Sequence, residues 1–224
     1  MPQQTIPFPP LGVVDVWRLQ LATPPDSSED LALLSTVERE RLAGRRGTLA
    51  RRFCRAHAGM RRVLASYLGV DPQAVELLTP YGAPPRLSNS DLQISLAHSD
   101  DIALIAVAAT AVGVDLEPIA RADNAGADLE WMAALTLTDA ELDAFRATAP
   151  ERRARSWLRS WTRKEALLKA HGAGICDQPP AEVDVSTDVV NAHALVDLAP
   201  APGYVGAVAV ARRETCVVWR ALGT

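Results

Sequence analysis

The stretch VGVDLEP, residues 112–118, lies at the middle of the chain and separates two halves of similar size. Its β-branched residues predict a strand, and the proline at 118 favours an extended conformation at Glu117. Each half reads as a strand, a long helix and further strands. We therefore predict an α+β fold of two similar subdomains, residues 1–112 and 113–224, in a pseudo-twofold arrangement, each with a long helix packed on a small antiparallel sheet.

Hydrophobic periodicity locates the helices and strands of each half. The predicted helices cover residues 29–42, 49–68, 129–135, 139–147 and 151–171. The predicted strands cover residues 11–19, 92–97, 103–108, 112–117, 183–186, 192–198, 205–211 and 216–221. In the helix at 49–68, Phe53, Met60 and Leu64 recur at helical spacing, so this helix should bury one face in the core.

Composition excludes several classes of protein. Hydrophobic residues make up 48% of the chain and charged residues 22%, which is the balance of a soluble globular protein. No apolar run approaches the ~18 residues of a membrane helix, and the N-terminus lacks the basic and apolar segments of a secretory signal. A net charge of −4 argues against general nucleic-acid binding. We therefore expect a cytoplasmic, monomeric protein with no nucleic acid and no membrane among its partners.

Lysine is confined to one segment. Among the 23 lysine and arginine residues, only Lys164 and Lys169 are lysine. Lysine is a compact charge whose pKa can be shifted by its surroundings, whereas arginine stays protonated. The pattern therefore indicates a site near these two residues, and chance clustering is the alternative.

Two carboxylates, Asp115 and Glu117, stand two positions apart on the predicted strand. Side chains alternate along a strand, so both should project from one face while Leu116 points to the other. Oxygen ligands on one rigid edge suit a hard cation such as Mg²⁺. Taken alone, the pattern is more typical of a solvated strand end.

The helix segment WLRSWTRKEALLKAHGAG, residues 157–174, places Glu165 and Lys169 one turn apart. The simplest interpretation is an exposed Glu–Lys pair that stabilises the helix by ~0.3–0.5 kcal/mol. That interpretation does not explain why both lysines of the chain flank this glutamate. A catalytic helix is the other interpretation.

These motifs together resemble a known family. VGVDLE resembles the G-[VI]-D-[IVL]-E motif of Sfp-type phosphopantetheinyl transferases, and WTRKEALLKAHGAG resembles their W-[ST]-x-K-E-[AS]-x-x-K-x-x-G-x-G motif. LTDAE (137–141) lies between the two, and ISLAHSD (94–100) and YGAP (81–84) lie upstream; each is similar to a further segment of that family. The resemblance covers residues 34–174, and the two main motifs in this order make it specific.

The resemblance implies transfer of the 4′-phosphopantetheine arm of coenzyme A to a serine of an apo acyl or peptidyl carrier protein, with release of 3′,5′-ADP. It implies Mg²⁺, with Mn²⁺ as a substitute, held by Asp115, Glu117 and Glu141. Such an ion would neutralise charge on the phosphates, which is what phosphoryl transfer requires. Whether the carrier serves peptide, polyketide or fatty-acid synthesis stays open.

The resemblance also implies roles for individual side chains. Glu165 is the general base for the carrier serine. Lys169 stabilises or protonates the leaving phosphate, and Lys164 clamps the pyrophosphate. The candidates for binding coenzyme A, besides Lys164, are His98, Arg45, Arg52 and Arg86.

Two positions depart from the family pattern. Ala97 stands where the family has a serine beside the histidine, and Ala83 stands where it has a lysine. Both missing side chains would contact phosphates of coenzyme A, so we expect weaker recognition of the 3′-phosphate. Arg86 is close enough in sequence to substitute, and Arg45 and Arg52 are assigned to the 3′-phosphate side.

Two other functions fit part of this pattern. A non-catalytic module of the same fold would bind coenzyme A or a carrier protein, but it should lack a catalytic carboxylate or lysine, and this chain has all of them. Another Mg²⁺-dependent phosphate-ester enzyme, such as a nucleotide hydrolase, could use Asp115 and Glu117. It would leave the Lys–Glu–Lys helix without a role.

Overall fold

Two four-stranded sheets form the centre of the protein, and the computed structural model describes them within residues 5–22, 27–78, 84–126, 128–172 and 179–222. The helices are α1 (Ser27–Leu33), α2 (Thr36–Ala43), α3 (Gly47–Leu68), α4 (Ile119–Asp123), α5 (Asp128–Thr136), α6 (Asp139–Ala147) and α7 (Pro150–Ala170). The strands are β1 (Val13–Gln20), β2 (Leu77–Leu78), β3 (Arg86–Leu87), β4 (Gln93–Ser99), β5 (Ile102–Ala108), β6 (Val112–Pro118), β7 (Val189–Val190), β8 (His193–Leu198), β9 (Tyr204–Val210) and β10 (Cys216–Ala221).

The strand order is β10-β1-β5-β4 in the first sheet and β6-β9-β8-β7 in the second. Neighbouring strands are antiparallel, except that β10 runs parallel to β1. β10 thus completes the sheet of the N-terminal half, although it is the last strand of the chain. The division of the chain at residue 112 stays a prediction.

The core is layered by the alternation of side chains along the strands. Val14 and Leu104, together with Val114 and Val208 of the second sheet, form one buried cluster between the two sheets. The opposite face of the first sheet packs on α3, and the opposite face of the second packs on α7. The predicted α+β fold, with a long helix on each sheet, is confirmed.

Two local predictions differ from the structure. The helix predicted at 29–42 is divided into α1 and α2, because Ser35 and Glu38 form a capping box that starts a new helix. The strand predicted at 183–186 is wrong. The amide of Val185 donates to a carboxylate oxygen of Glu141 at 2.8 Å, and the amide of Ser186 donates to the side chain of Asp184, so neither amide pairs with a strand.

Gly113 brings α7 unusually close to β6. A Cβ atom at this position would overlap the carbonyl oxygen of Ala166 and lie 2.6 Å from the amide nitrogen of Ala170. Any larger residue would push the helix away from the strand. The glycine of VGVDLEP therefore sets the distance between the carboxylates of β6 and the side chains of α7.

Every helix that the structure describes is too short or too polar to cross a membrane.

Candidate active site

Asp115 and Glu117 both line one cleft of about 370 Å³, as the alternation along the strand predicts. Asp115 is 7% exposed, and its Oδ1 accepts a hydrogen bond from Nζ of Lys169 at 2.8 Å. Lys169 also donates to the carbonyl of Val114 at 3.1 Å. The side chain of Lys169 is therefore fixed across the cleft from α7 to β6.

Glu117 is less enclosed than Asp115 and has partners of its own. Its Oε2 accepts from the hydroxyl of Ser99 at 2.8 Å and from the guanidinium of Arg121 at 2.9 Å. Burial raises the pKa of both carboxyl groups; Lys169 opposes the rise at Asp115, and the hydroxyl of Ser99 and the charge of Arg121 oppose it at Glu117. Neighbouring donors thus favour the charged form of each carboxylate.

Glu165 lies one helical turn before Lys169, close enough to Asp115 and Glu117 for their charges to act on it, but it is not among the lining residues of the cleft. Burial raises the pKa of Glu165 to about 7; Lys169 opposes the rise, while Asp115 and Glu117 add to it. A carboxyl group with a pKa near 7 is suited to accept a proton at neutral pH. The raised pKa of Glu165 therefore fits the general base that the sequence predicts at this position.

The donor set also fits a divalent cation. Within the described parts of the chain, no group of three or more His, Cys, Asp or Glu side chains is arranged to hold a metal ion by itself. However, Oδ2 of Asp115 and Oε1 of Glu165 are buried, and neither has a hydrogen-bond partner among the described residues. Buried oxygens without partners are costly, and an ion such as Mg²⁺ accepts oxygen ligands of this kind together with water and phosphate.

Glu141 and Lys164 form a separate buried pair. Nζ of Lys164, which is fully buried, donates to Oε2 of Glu141 at 2.6 Å and to the carbonyls of Pro180 and Val183. An ammonium group has three donors, so none remains for a pyrophosphate in this structure. Glu141 in turn accepts from the amide of Val185. The structure does not bring Glu141 to Asp115 and Glu117, or Lys164 into the cleft lining.

We expect this pair to support folding rather than the reaction. Replacing Lys164 by methionine should lower the free energy of unfolding by about 3–5 kcal/mol, because it leaves the buried Glu141 without its counter-ion. Adding Glu141→Gln should recover part of the loss, which denaturant unfolding of the single and double variants would measure. Arg152→Met, at an exposed position of α7, is the matched control. Unchanged stability with lost activity in Lys164→Met would instead support the predicted catalytic role.

Cations and aromatic rings line the cleft together with the carboxylates. His98 lies in the lining, where partial desolvation and repulsion from nearby cations, Lys169 and the arginines at 45 and 52 among them, lower its pKa to about 4. At neutral pH its ring is therefore uncharged and can take part in hydrogen bonds. The guanidinium of Arg45 covers the ring of Phe53 at 4.3 Å from its centroid.

The other predicted binding residues lie elsewhere. Arg52 is paired with Asp101 at 2.9 Å and with Asp100 at 3.4 Å, and Arg86 lies exposed on β3; neither is among the lining residues. Ala97 is in the lining and adds no polar group. Ala83 lies outside the described residues.

Among the lining residues to which the sequence assigned no binding role are Arg41, Phe53 and His57. Phe53 was assigned to the core, where it is indeed buried at 4% exposure. Phe53 and His57 are one turn apart on α3, and Arg41 belongs to the arginine-rich segment before it. That spacing was the available signal, but it does not tell which face of α3 meets the cleft.

Comparison with known proteins assigns the family. Residues 111–204, which carry Asp115, Glu117, Glu165 and Lys169, match the model of the 4′-phosphopantetheinyl transferase superfamily. The chain is 32% identical over 213 residues to the 4′-phosphopantetheinyl transferase HetI of Nostoc sp. (strain PCC 7120), covering 88% of this chain and 87% of that protein. It is also 30% identical over 130 residues to the 4′-phosphopantetheinyl transferase AcpT of Salmonella typhi, covering 54% and 65% of the two chains. The resemblance to Sfp-type enzymes is thereby confirmed, and the chain belongs to the 4′-phosphopantetheinyl transferase superfamily.

Proposed function

We propose that this enzyme transfers the 4′-phosphopantetheine arm of coenzyme A to a serine of an apo acyl or peptidyl carrier protein and releases 3′,5′-ADP. One observation carries the proposal: Asp115, Glu117 and Lys169 line the same cleft as His98 and the arginines of the N-terminal half. Such a cleft combines carboxylates that can hold a cation with positive groups that can hold phosphates.

Four side chains have separate roles in the proposed reaction. Glu165, with its pKa of about 7, accepts the proton of the carrier serine as the hydroxyl attacks the β-phosphate of coenzyme A. Lys169, fixed beside Asp115, stabilises the charge that develops on the leaving phosphate. His98 and Arg45, which line the same cleft, contact the phosphates.

Asp115 and Glu117, which both line the cleft, would hold Mg²⁺. When bound, the ion neutralises charge on the pyrophosphate. Glu141 and Lys164, which pair with each other, are given no part in this proposal. Arg52 and Arg86 remain predictions for the 3′-phosphate side.

The proposed function is tested by measuring the transfer directly. The protein would be incubated with coenzyme A, Mg²⁺ and a set of apo carrier proteins from peptide, polyketide and fatty-acid synthesis. Mass spectrometry should find at least one carrier with a phosphopantetheine arm, and chromatography should find 3′,5′-ADP in equal amount. Coenzyme A binding without any 3′,5′-ADP would support the non-catalytic module. Hydrolysis of nucleotides in parallel reactions without a carrier would support the phosphate-ester hydrolase.

A further inference from the structure

Glu38 and His57 form a hydrogen-bonded pair that connects the interior to the cleft. Glu38 is fully buried on α2, and its Oε1 lies 3.1 Å from Nδ1 of His57 on α3. Its Oε2 accepts two hydrogen bonds from Arg61, at 2.9 and 3.1 Å, and one from the amide of Ser35 at 2.8 Å. The side chain of His57 lines the cleft.

The charge of Glu38 decides which nitrogen of His57 carries the proton. Burial alone would raise the pKa of Glu38, but hydrogen bonds from His57 and Ser35 and the charge of Arg61 lower it to about 2. An ionised carboxylate can only accept, so Nδ1 of His57 is the donor. Nε2 is then the ring nitrogen that remains for a ligand in the cleft.

The surroundings of His57 favour an anionic ligand at that nitrogen. The rings of His57 and Phe53 lie 4.1 Å apart between centroids, and Arg45 covers Phe53. The charged and titratable groups that surround the pair or share the cleft with it are Glu38 and Arg41 from α2, Arg45 after it, Arg61 from α3, His98 from β4, Asp115 and Glu117 from β6, and Lys169 from α7. The carboxylate of Glu38 is paired with Arg61. The lining of the cleft also contains the positive side chains of Arg41, Arg45 and Lys169, which attract a phosphate.

We propose that His57 contacts a phosphate of coenzyme A through Nε2 and that Glu38 is the positioning residue that holds the ring in this orientation. The proposal rests on the proposed function, because it names a further binding residue for the same substrate. In the complex, the phosphate and Glu38 face the two nitrogens of one imidazolium ring, and the proton on Nε2 comes from the solvent. Binding of coenzyme A is therefore coupled to the uptake of a proton.

Substitutions at position 57 distinguish a direct contact with the phosphate from a structural role of the histidine beside Glu38. The amide nitrogen of glutamine can take the place of Nε2, whereas asparagine reaches only the place of Nδ1 and keeps the bond to Glu38. His57→Asn and His57→Ala should each raise the Kd for coenzyme A about tenfold or more, which is the typical effect of losing a hydrogen bond to a charged group. His57→Gln should raise it less. If asparagine is the better replacement, the histidine only supports Glu38 and the proposal is wrong.

Proton uptake provides a readout that a structural role would not change. Coenzyme A would be titrated calorimetrically into the full-length protein with Mg²⁺, at one pH, in two buffers of different ionisation enthalpy. The wild type should take up a fraction of a proton for each coenzyme A that binds, and His57→Gln should take up a smaller fraction. Glu38→Gln, which removes the charge but keeps an acceptor, should behave like His57→Gln. His193→Gln, on β8 and outside the cleft lining, is the matched control and should equal the wild type.

The outcomes distinguish this inference from the proposed function. If the wild type does not bind coenzyme A, the proposed function fails. If the wild type binds it and the variants at 57 bind it equally well, only the inference fails. If proton uptake is lost in His98→Gln but kept in His57→Gln, the proton binds to His98, and the inference about His57 is also wrong. In turnover assays, His57→Asn should raise KM for coenzyme A while kcat stays within about twofold, because the histidine binds substrate and takes no part in the proton transfer.

Discussion

Replacing Asp115 by asparagine should slow carrier modification by about 10²- to 10³-fold while the protein stays folded. Asparagine keeps the shape of the side chain. It removes the charge that pairs with Lys169 at 2.8 Å, and it replaces one of the two carboxylate oxygens, of which Oδ2 is buried without a described hydrogen-bond partner. If Asp115 and Glu117 hold Mg²⁺, the remaining activity should require a much higher Mg²⁺ concentration.

The rate would be measured across a Mg²⁺ titration with a carrier that the wild type modifies. Asp143→Asn, at an exposed position of α6, controls for the loss of one negative charge. Binding of Mn²⁺, followed by electron paramagnetic resonance, reports on the metal site without turnover. Activity close to that of the wild type at limiting Mg²⁺ would remove Asp115 from the metal site.

Replacing Glu165 by glutamine should lower kcat by about 10²- to 10⁴-fold, because it removes the base and preserves the shape of the side chain. Lys169→Arg should also be damaging, since the larger planar guanidinium cannot occupy the place of an ammonium that donates to both Asp115 and Val114. Conversion of one carrier at saturating coenzyme A would measure both effects. Near-normal turnover in either variant would mean that the replaced residue takes no part in the reaction.

The same Glu165→Gln variant should be more stable than the wild type at high pH. The folded protein raises the pKa of Glu165 from 4.5 to about 7, so it binds this proton more tightly than the unfolded chain does. The wild type therefore loses stability as the pH rises from about 4.5 through about 7, and glutamine, which does not ionise, avoids that loss. In metal-free buffer we expect a higher Tm than the wild type at pH 8 and an equal Tm at pH 4. A lower Tm at pH 8 would mean that the loss of activity reflects damaged packing.

The sequence by itself determined the two parts of the site that depend on local periodicity. Alternation along a strand places Asp115 and Glu117 on one face, and a spacing of four residues places Glu165 and Lys169 on one side of a helix. The same regularity of about 100° per residue puts Lys164 about 140° away from Lys169 around α7, so the two lysines cannot both face the cleft. The helix geometry could therefore have predicted their separation.

Only the tertiary structure decided which partner each charged side chain meets. Periodicity gives the buried face of an element but not the element that packs against it, and these partners come from distant parts of the chain. Lys164 meets Glu141 in the interior, Arg52 meets Asp101 in the turn after β4, and His57 meets Glu38 at the edge of the cleft. Burial makes such charges costly without a counter-ion, so the packing of α3, α6 and α7 selected the pairs that satisfy them.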